Sequence, residues 1–405
     1  VQIEHLSLTN FRNYARLELS LPASRPTLIV GANAQGKTNL LEAIYFLAAA
    51  RSPYTQSDRQ LIHWRAENEP IPFARLTADL RSAAHSAFRL EMTLMIERLA
   101  DQPSGRFRKV IKVNGVEKRR LDTVGLFNVV LFLPQDLALV EGSPSDRRRF
   151  IDDTLGQVDA GYASALERYE KVLPQRNALL RRIADRAADP AELDYWDDQI
   201  ARMGAIIVAG RQRFLREMEY DAQRCHLELT GRRETLTLRY QPSFAPTANG
   251  DGQLSFEMYG LDLHRDLDPD QIAPQLLEKL TAERRESIQR GQTLTGPHRD
   301  ELRLMINGRD TGLYGSRGQA RTAVMACKLA ELSWMRDRIG EWPVLLLDEV
   351  AAELDASRRT FLLDHIDGVT QTLATTTEPD IFTPAFLERA ALWQVTEGEI
   401  SELQR

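Results

Sequence analysis

Gly31-Ala-Asn-Ala-Gln-Gly36-Lys37-Thr38 has the residue types and spacing of a phosphate cradle. Its glycines let backbone N–H groups close around phosphate oxygens, and the helix that must follow adds the positive end of its dipole. Lys37 would reach the β- and γ-phosphates of a nucleoside triphosphate, and Thr38 would ligate Mg2+. Val344-Leu-Leu-Leu-Asp348-Glu349 is the complementary set, an apolar strand ending in two acids. Such a strand delivers carboxylates to the sheet edge where α/β proteins bind ligands. There Asp348 would hold magnesium, through water, and Glu349 would orient or deprotonate an attacking water. Taken singly, an acid at the end of a buried strand is commonplace; paired with the glycine-rich loop it acquires a job.

The elements around these residues follow from periodicity. Ile3, His5 and Ser7 alternate with Glu4, Leu6 and Leu8, then Leu17, Leu19 and Leu21 alternate, and Thr27–Val30 reads as a short buried strand. From Lys37 the period becomes helical, with Leu40, Leu41, Ile44, Leu47 and Ala48 on one face. Strands are predicted over 74–80 and 87–97, a hairpin over 106–119 about Asn114-Gly115, and a buried strand over 128–133. After residue 143 the pattern turns helical: Ser143-Pro-Ser-Asp146 starts a helix, Pro174 and Pro190 are expected to break the helical stretch, and 191–229 reads as one long helix. A strand at 234–240, a Gly/Asn/Pro-rich loop at 245–253 and a helical stretch at 269–290 follow. The α/β pattern returns with strand 302–306, helix 318–338, strand 344–347, a helix near 357–366 and strand 371–375, and the last ten residues are expected to fray.

Asp348 lies roughly 300 residues beyond Lys37, more than one domain of about 100–200 residues should hold, yet both must meet one metal ion. The fold class is therefore α/β: a P-loop head with a mixed sheet, split by an inserted, mainly helical arm. The expected division is head at 1–143, arm at 144–290, head again at 291–405.

The chain has 405 residues, 43% hydrophobic and 27% charged, enough for two or three cored domains. No apolar run approaches the roughly 18 residues of a membrane span, and the polar N-terminus does not read as a signal peptide. Two cysteines far apart exclude a zinc cluster or disulfide framework and point to a cytoplasmic setting. A net charge of −6 argues against general adhesion to nucleic acid. Bases are concentrated locally, however. Residues 98–120 carry eight, including Arg106, Arg108, Lys109 and Lys112, against Asp101 and Glu117, and residues 202–216 carry four arginines and no acid. Each patch is compatible with a confined polyanion site or with a solvated face. Ser316-Arg317-Gly318-Gln319 opens the helix at 318, either as a routine N-cap or as an anion site.

These blocks together resemble the RecF family, bacterial recombination mediators among the ABC-type chromosome-maintenance ATPases. The resemblance covers almost the whole chain. It rests on Leu8-Thr-Asn-Phe-Arg-Asn-Tyr14, the P-loop with Asn33 and Gln35, Phe132-Leu-Pro-Gln-Asp-Leu137, Val140-Glu-Gly-Ser-Pro144 with Arg147-Arg148, Leu294-Thr-Gly-Pro-His-Arg-Asp-Glu-Leu302, Ser316-Arg-Gly-Gln319, and Leu347-Asp-Glu-Val350 with Glu353-Leu-Asp355.

The resemblance implies ATP as the nucleotide, contacted by Gly31, Ala32, Asn33, Ala34, Gln35, Gly36, Lys37, Thr38 and Asn39, with Arg12 and Gln135 near the phosphates and Gln135 near magnesium. It makes Ser316, Arg317, Gly318 and Gln319 a signature motif that meets the γ-phosphate held by a second copy, and Asp355 the D-loop residue. An ATP-dependent homodimer follows, with weak, DNA-stimulated hydrolysis. Gapped or junction DNA would lie on the basic residues, and RecR and RecA would be partners in repair and the SOS response. Two departures stand out: Arg317 replaces the glycine usual in transporter signatures, and Thr375-Thr-Thr377 occupies the switch-histidine position. His298 is as readily a structural hydrogen bonder as a phosphate contact. The rival readings are a transporter's nucleotide-binding subunit and the ATPase subunit of a DNA-processing nuclease.

Overall fold

A computed structural model describes residues 1–22, 25–99, 102–244 and 268–403, so the loop expected at 245–253 lies outside the described residues. The chain divides into two compact units, Val1–Asp136 with Glu331–Arg405, and Leu137–Ala330.

The first unit opens with the hairpin β1 (Gln2–Phe11) and β2 (Tyr14–Ser20), then β3 (Thr27–Val30) and α1 (Lys37–Ala49). Next come β4 (Phe73–Ser82), β5 (Ser86–Leu99), β6 (Gln102–Val113), β7 (Val116–Lys118) and β8 (Val129–Phe132). Six of these strands form an antiparallel sheet in the order β2-β1-β4-β5-β6-β7. Strict alternation in β1 fails at one point. A register shift between Ile3 and His5 returns Ile3 to the buried face with Leu6 and Leu8. Helix α1 is buried nearly all round, adding Glu42, Ala43, Tyr45 and Phe46 to the expected stripe. It touches strands of both sheets of this unit, so no face is left for water.

The second unit is helical from α2 (Ala138–Glu141) through α3 (Pro144–Val158), α4 (Ala160–Ala184) and α5 (Leu193–Leu229). Ser143 and Asp146 cap α3 reciprocally. The 37 residues of α5 make a rod of about 55 Å. Pro174 breaks nothing: α4 continues through it. An interior proline costs a helix about 3 kcal/mol. Packing of α4 on α5 offsets this through Leu179, Leu180 and Ile183 against Leu193 and a fully buried Arg176–Asp197 ion pair at 2.6 Å. Then follow β9 (Leu236–Gln241), α6 (Pro269–Ala282), α7 (Arg284–Arg290), β10 (Glu301–Ile306), β11 (Arg309–Asp310), α8 (Thr311–Tyr314) and α9 (Arg317–Ile339). Residues 291–330, assigned from sequence to the head, belong to this unit, where β10 pairs with both β9 and β11.

Arg211 on α5 is the hub of the second unit. At 2% exposure it holds Asp152 at 2.9 Å, Asp300 at 3.2 Å and the Pro297 carbonyl at 2.7 Å, and Tyr162 and Tyr240 hydrogen-bond to the same two carboxylates. The Gly-Pro-His-Arg-Asp block is thus where the chain returns to lock three helices. Arg211→Met leaves two buried carboxylates without their cation and is expected to destabilise this unit by about 3–5 kcal/mol, read as lost hydrogen-exchange protection in α3 and α5.

His298 belongs to the same scaffold. Its Nδ1 is 2.6 Å from the Tyr169 hydroxyl and its Nε2 is 3.2 Å from the Thr293 carbonyl. Burial pushes the imidazole down to about 4 from its ordinary 6.5. The unfolded chain therefore binds this proton first, so the stabilisation is complete above pH 6.5 and is lost as pH falls toward 4. On the order of 3 kcal/mol should disappear across that window, and His298→Gln should flatten the pH profile of α4 exchange.

The chain re-enters the first unit along the last turns of α9 and adds β12 (Val344–Asp348), α10 (Val350–Glu353), α11 (Ala356–His365), β13 (Thr372–Thr376), α12 (Pro384–Arg389), β14 (Ala391–Thr396) and β15 (Glu399–Glu402). The second sheet runs β15-β14-β3-β13-β12-β8, parallel except for β15. The C-terminus therefore does not fray through residue 402. Glu397 and Gly398, both at positive φ, make a two-residue hairpin turn, and β14 pairs with β3. Among the described residues no helix is long and apolar enough to cross a membrane.

Candidate functional site

Parallel pairing puts the C-terminal ends of β3, β13, β12 and β8 along one sheet edge, and the loops leaving that edge carry the candidate residues. The glycine-rich loop leaves β3. A Cβ at Gly31 would meet the Val395 carbonyl at 2.6 Å, and one at Gly36, where φ is +115°, would meet the Asn13 amide at 2.5 Å. Both glycines are required by close approach. Ala32, Asn33 and Ala34 form an exposed crest, whereas Lys37 is buried.

Gln35 pins the loop. Its carbonyl accepts from Asn13 Nδ2 and the Gly398 amide, both at 3.1 Å, and its side-chain oxygen accepts from the Glu397 amide at 2.6 Å. Tyr14 donates to the Gly36 carbonyl at 2.9 Å, and Asn39 donates to Asn13 Oδ1 at 2.8 Å. The Asn-Phe-Arg-Asn-Tyr block thus buttresses the cradle. Arg12 supports it indirectly: its guanidinium grips both oxygens of the buried Glu42 at 2.7 Å. A phosphate contact by Arg12 would require it to give up that pairing.

Lys37 and Thr38 meet the second motif directly. Lys37 Nζ lies 2.7 Å from the Gly31 carbonyl, 3.0 Å from that of Ala32 and 3.0 Å from Glu349 Oε1. Thr38 Oγ1 lies 2.8 Å from Asp348 Oδ2. Two residues that sequence reasoning did not place among the site residues complete the set, Tyr54 unmentioned and Thr375 noted only as standing where a histidine is usual. Tyr54 donates to Asp348 Oδ2 at 3.0 Å, and Thr375 donates to Asp348 Oδ1 at 2.8 Å while accepting from the Glu349 amide at 3.0 Å. Thr375 shows its value only when β13 is paired with β12, and Tyr54 leaves no sequence signal. Glu349 itself sits at φ +55°, a conformation rare for a non-glycine residue and enriched at functional sites.

A hydroxyl and a carboxylate in contact beside a phosphate cradle are hard oxygen donors, the set magnesium takes up together with phosphates and water. The residues present fit the ion: Thr38 and Asp348 would hold it. Gln135 is exposed in the turn Pro134–Leu137, directly after the strand that flanks β12.

The remaining candidates stand elsewhere. Ser316 and Gln319 cap α9 reciprocally: the Gln319 amide donates to Ser316 Oγ at 3.2 Å and the Ser316 amide to Gln319 Oε1 at 2.9 Å. Ser316 and Arg317 are exposed; Gly318 is half-buried. Asp355 caps α11, and the hydrogen bond from the Arg358 amide holds its carboxyl below the usual range. Strand geometry divides the basic quartet. Arg106, Arg108 and Lys112 share the outer face of β6, with Arg108 and Lys112 only 3.7–3.9 Å from Glu117, Glu97 and Glu91. Lys109 points the other way, with Phe107, Ile111 and Val113 on the core side, and bonds Asp58 at 2.7 Å. It is not part of an outer basic surface.

A family model described as RecF/RecN/SMC N terminal domain matches residues 2–400. A relative in Chloroflexus aurantiacus, named DNA replication and repair protein RecF, is 41% identical over 410 residues, covering 98% of this chain and 99% of its own. This chain belongs to the RecF family. The Bacillus subtilis RecF is 37% identical over 400 residues, with 98% and 99% covered. A solved structure described as the recombination mediator protein RecF-ATPrS in the RecFOR pathway superposes with a TM-score of 0.83 at 29% identity, covering 100% of this chain and 98% of that one. An Smc head bound to the C-winged helix domain of ScpA, at TM-score 0.52 and 15% identity with 100% and 98% covered, shares the fold. The RecF fold is thus an ABC-type ATPase head with a helical insert.

Proposed function

We propose that the chain is an ATP-dependent DNA-binding recombination mediator: it dimerises on ATP, binds gapped or junction DNA, hydrolyses ATP slowly with DNA as stimulant, and with RecR promotes RecA loading in repair and the SOS response, in the cytoplasm. The observation that supports this reading is the contact of Thr38 with Asp348 beside the Lys37–Glu349 ion pair, at 2.8 Å and 3.0 Å, which brings two distant motifs together in one place. The names of the full-length relatives supply the repair context.

In this mechanism Lys37 and the loop amides bind the β- and γ-phosphates, and Thr38 and Asp348 orient the metal-bearing face of the nucleotide. Magnesium, when bound, neutralises phosphate charge. Phosphate oxygens compete with Glu349 for the Lys37 ammonium, which frees the carboxylate to act as a base. Glu349 then takes a proton from water as the water oxygen bonds to the γ-phosphorus, and the bond to the β–γ bridging oxygen breaks to leave ADP and phosphate. The exposed crest at Ala32–Ala34 and the exposed N-terminus of α9 are complementary half-sites: Ser316, Arg317, Gly318 and Gln319 would close over the γ-phosphate of a second copy, with Asp355 at the same interface. Hydrolysis removes that bridge, so turnover times the opening of the dimer.

DNA would lie along Arg106, Arg108 and Lys112, whose long surface ion pairs are weak competitors for phosphate. Replacing all three by glutamine should lower affinity for a gapped duplex about tenfold or more at moderate salt and reduce the salt slope by about two to three. Fluorescence anisotropy across a salt series checks this; an unchanged slope removes β6 from the DNA surface.

A further inference from the structure

Lys109, turned away from its three basic neighbours on β6, ties that strand to the segment between α1 and β4. We propose that residues 50–61 mechanically couple β6 to Asp348, with Lys109 anchoring one end and Tyr54 positioning the magnesium carboxylate at the other. This inference rests on the proposed DNA-stimulated hydrolysis and names the parts that transmit it.

At the β6 end, Lys109 Nζ donates to the Ala50 carbonyl and to Asp58 Oδ2, both at 2.7 Å, and lies 5.3 Å from the centroid of the Phe46 ring. Arg59 adds a second tie, donating to the Gly105 carbonyl at 2.7 Å. Three residues of the segment, Ala50, Asp58 and Arg59, are therefore bound to the strand whose outer side carries Arg106, Arg108 and Lys112. A displacement of β6 must be followed by the segment or break a charge-assisted hydrogen bond in a half-buried site.

The middle of the segment is stiff. Ser52 Oγ accepts from the amides of Tyr54 and Thr55 at 2.9 and 3.1 Å and donates to Glu42 Oε1 at 2.5 Å, the carboxylate that also holds Arg12. This turn hangs the Tyr54 ring at a fixed place relative to α1. At the far end, the Tyr54 hydroxyl and the Thr38 hydroxyl both reach Asp348 Oδ2, at 3.0 and 2.8 Å. Two donors on one carboxylate oxygen fix its rotation. Every link lies in the first compact unit, and each is a bond between named atoms.

Tyr54 acts through Asp348, so its test reads metal affinity without turnover. A fluorescent, non-hydrolysable ATP analogue is titrated with magnesium in the full chain. Loss of an outer-shell partner of a metal ligand typically costs tenfold or more in metal affinity, so Tyr54→Phe should raise the half-saturating magnesium concentration about tenfold. An unchanged or lower value overturns the Tyr54 role.

Lys109 is tested by the ratio of DNA-stimulated to basal hydrolysis. Lys109→Met keeps the stem over Phe46, and because the side chain faces inward its affinity for a gapped duplex should stay within about twofold of wild type. Its stimulation ratio should nevertheless fall to near one, as should that of Asp58→Asn, which breaks the same bond from the other side. Lys109→Arg should restore most of the ratio. Thermal melting and exchange protection of α1 identify a folding defect; if Lys109→Met has one, Asp58→Asn decides. Stimulation that survives in the folded variants overturns the coupling. A wild-type chain that binds gapped DNA without any stimulation refutes the hydrolysis reading itself, and a wild-type chain that binds no DNA refutes the proposed function. In both cases the magnesium titration still decides Tyr54.

Discussion

Glu349→Gln is expected to lower the rate of ATP hydrolysis at least a hundredfold, roughly the contribution of a positioned general base or more, while nucleotide still binds. The substitution preserves volume and the backbone φ of +55°, together with the hydrogen bond that the backbone amide donates to the Thr375 hydroxyl. What it removes is the proton acceptor and the negative partner 3.0 Å from Lys37 Nζ. Lys37 then has no competing anion, so affinity for ATP should be equal to or tighter than that of the wild type. Single-turnover hydrolysis with excess protein separates the two effects. A loss of binding that parallels the loss of rate would place Glu349 in nucleotide recognition instead of proton transfer.

Lys37→Ala should produce the opposite pattern: nucleotide affinity falls on the order of a hundredfold, because charge-assisted hydrogen bonds to phosphate contribute about 1.5–3 kcal/mol each and at least one is lost. The deletion also leaves Glu349 as an uncompensated negative charge beside the incoming phosphates. Lys37→Arg should rescue poorly. The ammonium sits at 5% exposure against the Gly31 and Ala32 carbonyls at 2.7 and 3.0 Å, contacts that a compact point charge makes and a larger planar guanidinium would have to rearrange to make. Fluorescent-nucleotide titration measures this, and a loss below about tenfold would mean that the loop amides alone hold the triphosphate.

That Lys37, Thr38, Asp348 and Glu349 meet was legible in the sequence because each pair lies in a motif of fixed short spacing. Gly31 to Thr38 and Val344 to Glu349 each sit within one strand–loop transition, and β3, α1 and β12 formed where periodicity placed them. Contacts made by side chains far apart in sequence were not legible. Thr375 looked like a missing histidine and instead holds Asp348 and the Glu349 amide. Asn13 and the turn at Glu397-Gly398 both reach Gln35, and only strand pairing reveals it. Counting charges likewise grouped Lys109 with Arg106, Arg108 and Lys112, although the two-residue period of a strand sends it to the opposite face. Pro174 failed as a breaker because tertiary packing outweighed local propensity.

The α9 N-terminus is a structural cap that, in the proposed dimer, would also serve function. Ser316 and Gln319 satisfy each other's backbone amides, and Gln319 also donates to Glu234 at 2.8 Å. A partner's phosphate would have to be met by the remaining amides of the first turn and by the Ser316 hydroxyl, whose exposure permits it. Ser316→Arg should therefore abolish nucleotide-driven association while leaving the protomer's own P-loop intact.

Sedimentation velocity of the Glu349→Gln chain, with and without saturating ATP and magnesium, tests the composite site most directly. The 46.0 kDa species should double in mass on adding ATP, and adding Ser316→Arg to the same chain should return it to a single protomer that still binds nucleotide. A Glu349→Gln chain that holds ATP tightly yet sediments as one protomer would show that the site is complete within a single copy, and dimerisation through nucleotide would be wrong.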